Sequence, residues 1–179
     1  MKLPSSHIKA SASSGPEQDA AELLHATWIG EDGTIVIPVD PFYIAKRLGI
    51  QVFTASLDQG VSGLLRKEAG YDDPRIYVNS SDSRNRQRFT CAHELGHYIR
   101  RGSGKAADGS WEYVDRRDSL ASAGTSPEEV YANQFAAGLL MPRRVVEQLA
   151  RRFGPASLAA EFGVSLDAVN FRLANLRLA

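Results

Sequence analysis

The chain has 179 residues, enough to bury one proper core and too few to be read as two independent domains. Its 21 Lys and Arg balance 21 Asp and Glu, so no overall basicity points to nucleic acid or to an anionic membrane. A single cysteine excludes an internal disulfide and suits a reducing compartment, and no stretch approaches the roughly 20 apolar residues of a membrane span, so a cytoplasmic protein is expected.

Residues 1–15 are rich in serine and small side chains without an apolar run, which predicts a disordered tail and argues against a signal peptide. Residues 16–28 read as a helix with Ala20, Leu23, Leu24 and Thr27 on its inner side, and Asp32-Gly33 then breaks the chain. Asp40 as N-cap with Pro41 at the first position starts a second helix, which buries Ile44, Ala45 and Leu48 and stops at Gly49. Residues 50–57 form a strand pattern, 58–60 a turn and 61–67 a hairpin partner, and residues 74–79 give a third strand around Ile76, Tyr77 and Val78. A small, mainly antiparallel sheet is therefore expected just before a helix running from near Ser83 to Gly102. Peptidases often hold substrate as an added strand on a sheet edge, and residues 74–79 are the candidate edge, with a plain core strand as the other reading.

That third helix carries His93-Glu94-Leu95-Gly96-His97. Residues four apart on a helix share a face, so His93 and His97 can hold one metal ion between them, while Glu94 is placed to contact water bound there. This is the layout of a zinc peptidase: the metal lowers the pKa of water to roughly 7 and the glutamate takes its proton. The bland alternative is a surface helix with two satisfied histidines. Against it, Phe89, Ala92, Leu95 and Ile99 give the helix an apolar side, and Gly96, costly by about 1 kcal/mol against alanine, predicts a close approach to its backbone. Cys91 is rotated about 160° from His93 and is expected in the core.

A catalytic zinc usually takes three protein ligands. Ser126 as N-cap and Pro127 at the first position open a further helix that ends before Pro142, with Glu129, Ala132, Asn133, Ala136 and Leu140 on one stripe. Its alanines allow close approach to the histidine helix, so that Glu129 reaches the metal and Asn133 orients a ligand from behind. Glu129 is also placed to complete a capping box with Ser126, a job it cannot easily combine with ligation. A cap at Thr125 with Glu128 would release it, and Glu112, Asp115, Asp118 and Glu128 are competing ligands. For the oxyanion of a tetrahedral intermediate, Tyr98 and Tyr131 are the nearest donors in sequence, with His7 and His25 far upstream. Residues 103–124 read as the rim of a cleft or a long loop.

The segment RFTCAHELGHY followed by RRDSLASAGTSPEEVYANQFAAGLLMP resembles the ImmA/IrrE family of metallo-endopeptidases, whose members carry RFTxAHELGH and later ExxANxFAAxLLMP. The resemblance covers Ile35 to about Pro142 well and the C-terminal region more weakly. It implies a zincin-like α+β peptidase with His93, His97 and Glu129 as Zn²⁺ ligands and Glu94 as the catalytic base. It also implies cleavage of a transcriptional repressor or similar regulator in stress response or mobile-element control. With so little chain ahead of Ile35, DNA recognition is expected in a separately encoded repressor, the protein substrate.

Beyond Pro142, residues 156–179 have a helix-turn-helix rhythm. Leu158, Ala159 and Phe162 line one helix, Gly163-Val164-Ser165 turns the chain, and Leu166, Val169, Leu173 and Leu176 line a second. From Arg143 on there are six arginines against three acids, and the second helix offers only Asp167, Asn170, Arg172, Asn175 and Arg177 to a nucleic acid. The expected organisation is a tail at 1–15, a metallopeptidase core at 16–142 and a helical hairpin at 143–179 packed on that core, without direct DNA binding. The rival function is a DNA-binding regulator with a structural zinc site, which would not need Glu94. A toxin of a toxin-antitoxin pair would share the same site as the peptidase.

Overall fold

Proline punctuates the helices. Pro16, Pro41, Pro127 and Pro155 each occupy a first helical position, where the missing N–H is no loss and the fixed φ suits the helix. They open α1 (Pro16–Thr27), α2 (Pro41–Arg47), α4 (Pro127–Leu140) and α6 (Pro155–Phe162). The computed structural model describes residues 15–67, 73–101, 111–116 and 126–178. Within them also lie β1 (Gln51–Ala55), β2 (Val61–Lys67), β3 (Arg75–Asn79), α3 (Arg84–Arg101), β4 (Trp111–Arg116), α5 (Arg143–Leu149) and α7 (Leu166–Leu176). The tail expected at 1–15 falls outside the described residues apart from Gly15.

The Asp40 side chain accepts the Phe42 and Tyr43 amides at the start of α2, and Gly49 just past its end has φ +81°. The inner side expected for α1 is buried as expected at Ala20, Leu23, Leu24 and Thr27.

The sheet is mixed, in the order β1-β3-β2-β4. β3 runs parallel to β1 and antiparallel to β2, and β2 is antiparallel to β4. Two expectations are corrected. Residues 50–57 and 61–67 do not pair as a hairpin, because β3 is inserted between them. For the same reason residues 74–79 are not an edge: among the described residues the edges are β1 and β4. The physical reason lies in burial, since Ile76 and Val78 of β3 are fully buried whereas β1 has no buried residue. Alternation assigns faces to a strand but not partners. β4 lies in the stretch read as rim or loop; residues 102–110 and 117–125 are outside the described set.

Helix α3 covers one face of the sheet, its Cys91, Ala92, Leu95 and Ile99 joining Leu65, Ile76 and Val78 in one core. α4 packs along α3, and α1 packs on α4. The contact is close at Gly96, where an added Cβ would stand 3.0 Å from Ala132 Cα and 3.3 Å from the Ala132 carbonyl oxygen. After Pro142 the structure has three helices where a hairpin was expected, α5 preceding the α6–α7 pair. Leu166 is 47% exposed, so it does not line the inner side of α7. Two buried arginines tie this region to the rest. Arg88 of α3 donates to the carbonyls of Val39, Phe162 and Gly163, and Arg172 of α7 donates to Met141 O and, in a two-pronged pair at 2.6 Å, to Glu17 of α1.

Candidate metal centre

His93 and His97 lie on the inner face of α3, both essentially without solvent exposure, with their rings edge to face at 4.7 Å between centroids. Their Nε2 atoms are 3.0 Å apart. Glu129, from the first turn of α4, completes a triangle: its Oε2 is 3.3 Å from His93 Nε2 and its Oε1 is 3.2 Å from His97 Nε2. The imidazoles beside it, His93 first and then His97, hold the Glu129 carboxylate well below the usual carboxylate range. Among the described residues this is the one group of three His, Cys, Asp or Glu side chains able to hold a metal ion, its donor atoms all within 4.8 Å of one another.

The spacing fits a metal. A tetrahedral shell with bonds of about 2.0–2.1 Å places neighbouring donor atoms about 3.3 Å apart. Separations of 3.0 Å between the imidazoles and of 3.3 and 3.2 Å from them to the two oxygens of Glu129 are close to those edges. Behind the triangle, Asn133 Oδ1 lies 3.0 Å from His93 Nδ1. An amide oxygen can only accept, so Nδ1 carries the proton and the neutral ring turns its Nε2 lone pair toward Glu129 and His97.

The local sequence explains how Glu129 comes to be available. Ser126 Oγ accepts the Glu129 amide at 3.2 Å, so the N-cap forms through Ser126, yet the carboxylate turns to the imidazoles. Half of the capping box serves the helix and the other half serves the site. Of the competing acids, Glu112 on β4 and Glu128 on α4 are exposed, Asp115 is on β4, and Asp118 is outside the described residues. Glu94 is fully buried, one residue along the helix from His93.

Tyr131 is corrected as an oxyanion donor. Two residues on from Glu129 it faces the other side of α4, where its hydroxyl donates to the buried Asp19 carboxylate of α1; burial and that bond push its pKa up. Tyr98 is half-buried against the core. His25 is exposed in the last turn of α1, and His7 is outside the described residues. Cys91 lies in the core, and burial pushes its thiol well above the ordinary range.

Comparison with known proteins decides the family. The profile of the peptidase family described as the IrrE N-terminal-like domain matches residues 45–174, from within α2 into α7, the three donor residues included. The chain belongs to this family. Two similar proteins are both named radiation response metalloprotease IrrE. The one from Deinococcus deserti is 33% identical over 137 residues, 68% of this chain and 46% of its own length. The one from Deinococcus radiodurans is 36% identical over 118 residues, 59% of this chain and 34% of its own. The match thus spans less than half the length of either relative. The IrrE-like match also takes in α6 and most of α7, so these helices belong to the family's domain.

Proposed function

We propose that this protein is a zinc-dependent endopeptidase that cuts a regulatory protein in the cytoplasm. The observation carrying the reading is the triangle of His93, His97 and Glu129, with the fully buried Glu94 one residue along α3 from His93, in a member of a peptidase family. Two imidazoles and one carboxylate are a donor set that zinc accepts, leaving a fourth position open. When bound, zinc would polarise the scissile carbonyl and lower the pKa of water to about 7.

The chain's own groups do the rest. Asn133 fixes the tautomer and orientation of His93, so that its Nε2 is ready as a donor to the metal. Glu94 takes the proton of the attacking water on its carboxylate and delivers it to the departing amine nitrogen, which leaves neutral. Tyr98, the residue after His97, is our candidate for an additional donor to the oxyanion.

The substrate reading rests on the family. The two relatives carry the radiation response in their names, and cleavage of a regulator of gene expression is a direct way for a peptidase to switch such a response. We therefore take the substrate to be a separately encoded DNA-binding repressor, cut once in an exposed linker.

Metal analysis tests the site, and one zinc per chain is expected, lost in the His93→Ala, His97→Ala double variant. Glu94→Gln should keep the zinc and lose about 10²–10⁴-fold in turnover. Incubation with candidate repressors and with casein tests the substrate: a single cut in one repressor supports it, and rapid general digestion of casein with no preference overturns it.

A further inference from the structure

In the endopeptidase reading the fully buried Glu94 side chain needs a fixed place, and the space for it comes from the sheet. On β2 directly opposite α3, a Cβ added to Gly63 would stand 2.8 Å from Glu94 Oε1 and 3.5 Å from Glu94 Cγ, and 2.4 Å from Thr90 Cγ2. Thr90 and Glu94 are one helical turn apart, so both project from the same side of α3 onto this point of the strand. Gly63 does not have a positive φ, unlike Gly33, Gly49, Gly60 and Gly163 among the described residues. Its backbone conformation is open to any residue, and what requires glycine is the closeness of Thr90 and Glu94.

The strand is irregular at this point. Against β4 the register shifts between Val61 and Gly63, with Ser62 as the extra residue. Ser62 is fully buried and its hydroxyl accepts from Arg86 Nη2 at 3.0 Å, which ties the irregularity to the first turn of α3. Bulges of this kind bend a strand and re-aim the side chains next to them, and they recur beside active sites.

We infer that Gly63 is a positioning residue for the reaction: its bare backbone is the seat against which the Glu94 carboxylate rests, and any side chain there pushes Glu94 from its place while leaving His93, His97 and Glu129 untouched. The inference rests on the endopeptidase reading for its catalytic consequence. A purely structural account is that Gly63 exists only so that Thr90 can pack against β2.

The two accounts separate through Thr90→Ser, which deletes the methyl that would clash and keeps the hydroxyl. The comparison is Thr90→Ser against the double variant Gly63→Ala, Thr90→Ser. Expected of the double variant are one zinc per chain, melting of the zinc-free protein close to that of Thr90→Ser, and a displaced Glu94 side chain in crystals of the zinc-free protein. On a pool of internally quenched fluorogenic peptides its kcat should fall about 10²-fold with KM nearly unchanged, the scale of loss for a misplacement of about 1 Å. Added to Glu94→Gln, the same pair of changes should cost no further activity. Full recovery of Thr90→Ser activity, or an unmoved Glu94 in the crystal, overturns the seat. If the wild-type protein cleaves neither these peptides nor any candidate repressor, the endopeptidase reading fails by itself, and the crystallographic position of Glu94 still decides whether Gly63 seats it.

Discussion

Asn133 shows how much of this site depends on residues behind the donor atoms. Its amide oxygen selects the tautomer of His93, and partners of this kind typically contribute 10- to 100-fold in metal affinity. Asn133→Ala is therefore expected to weaken zinc binding by about that factor with little change in fold, measurable by competition with a chelating dye; unchanged affinity would remove Asn133 from the site. Cys91 makes the opposite case, a metal-ligating residue type two positions from His93 that packs in the core with its thiol held protonated by burial. A thiol reagent such as Ellman's should not modify the native protein within minutes and should titrate one thiol in denaturant. Rapid reaction of the native protein would mean that the thiol is reachable.

At the scale of elements, the site is the product of two helices brought close together. Gly96 and Ala132 make that approach possible, since neither carries bulk between the α3 and α4 backbones. Gly96→Ala sets two effects against each other: alanine gains about 1 kcal/mol of helix propensity, while its Cβ would meet Ala132 Cα at 3.0 Å. Backbone cannot yield as a flexible side chain does, so overpacking should win with a net loss of about 1–3 kcal/mol. Because Glu129 rides on α4, zinc affinity should fall as well. Urea unfolding of the zinc-free protein and a metal titration check this, and a variant more stable than wild type with unaltered zinc affinity would show that the helices have room to spare.

At the scale of the whole molecule, Arg88 and Arg172 explain why the C-terminal helices belong with the peptidase body. Arg88 caps the carbonyls at the end of α6 from α3, and Arg172 caps the end of α4 from α7 while pairing with Glu17. Arg172 is thereby buried and withdrawn from the few cations α7 could offer to phosphates. No sequence-specific DNA complex tighter than about 10⁻⁸ M is expected in mobility-shift titration at physiological salt. Such a complex would return the regulator reading to consideration.

The sequence by itself determined the ends of α2 and α4, because Pro41 and Pro127 at first positions, Asp40 and Ser126 as caps, and Gly49 and Pro142 at the stops act within one turn. It also determined that His93 and His97 share a face, since helical spacing alone places them there. The close approach at Gly96 was legible for the same local reason, and Gly63, a glycine inside a strand pattern, carried the same signal unread. Whether Glu129 completes a capping box or turns to the imidazoles was decided by tertiary structure, because both uses satisfy the local chain and only the position of α3 separates them. Tertiary structure likewise gave the Tyr131 hydroxyl to Asp19, a partner 112 residues away in sequence, and placed β3 between β1 and β2. A strand's pattern records which face is buried, and its neighbours are chosen by the core that all the strands share.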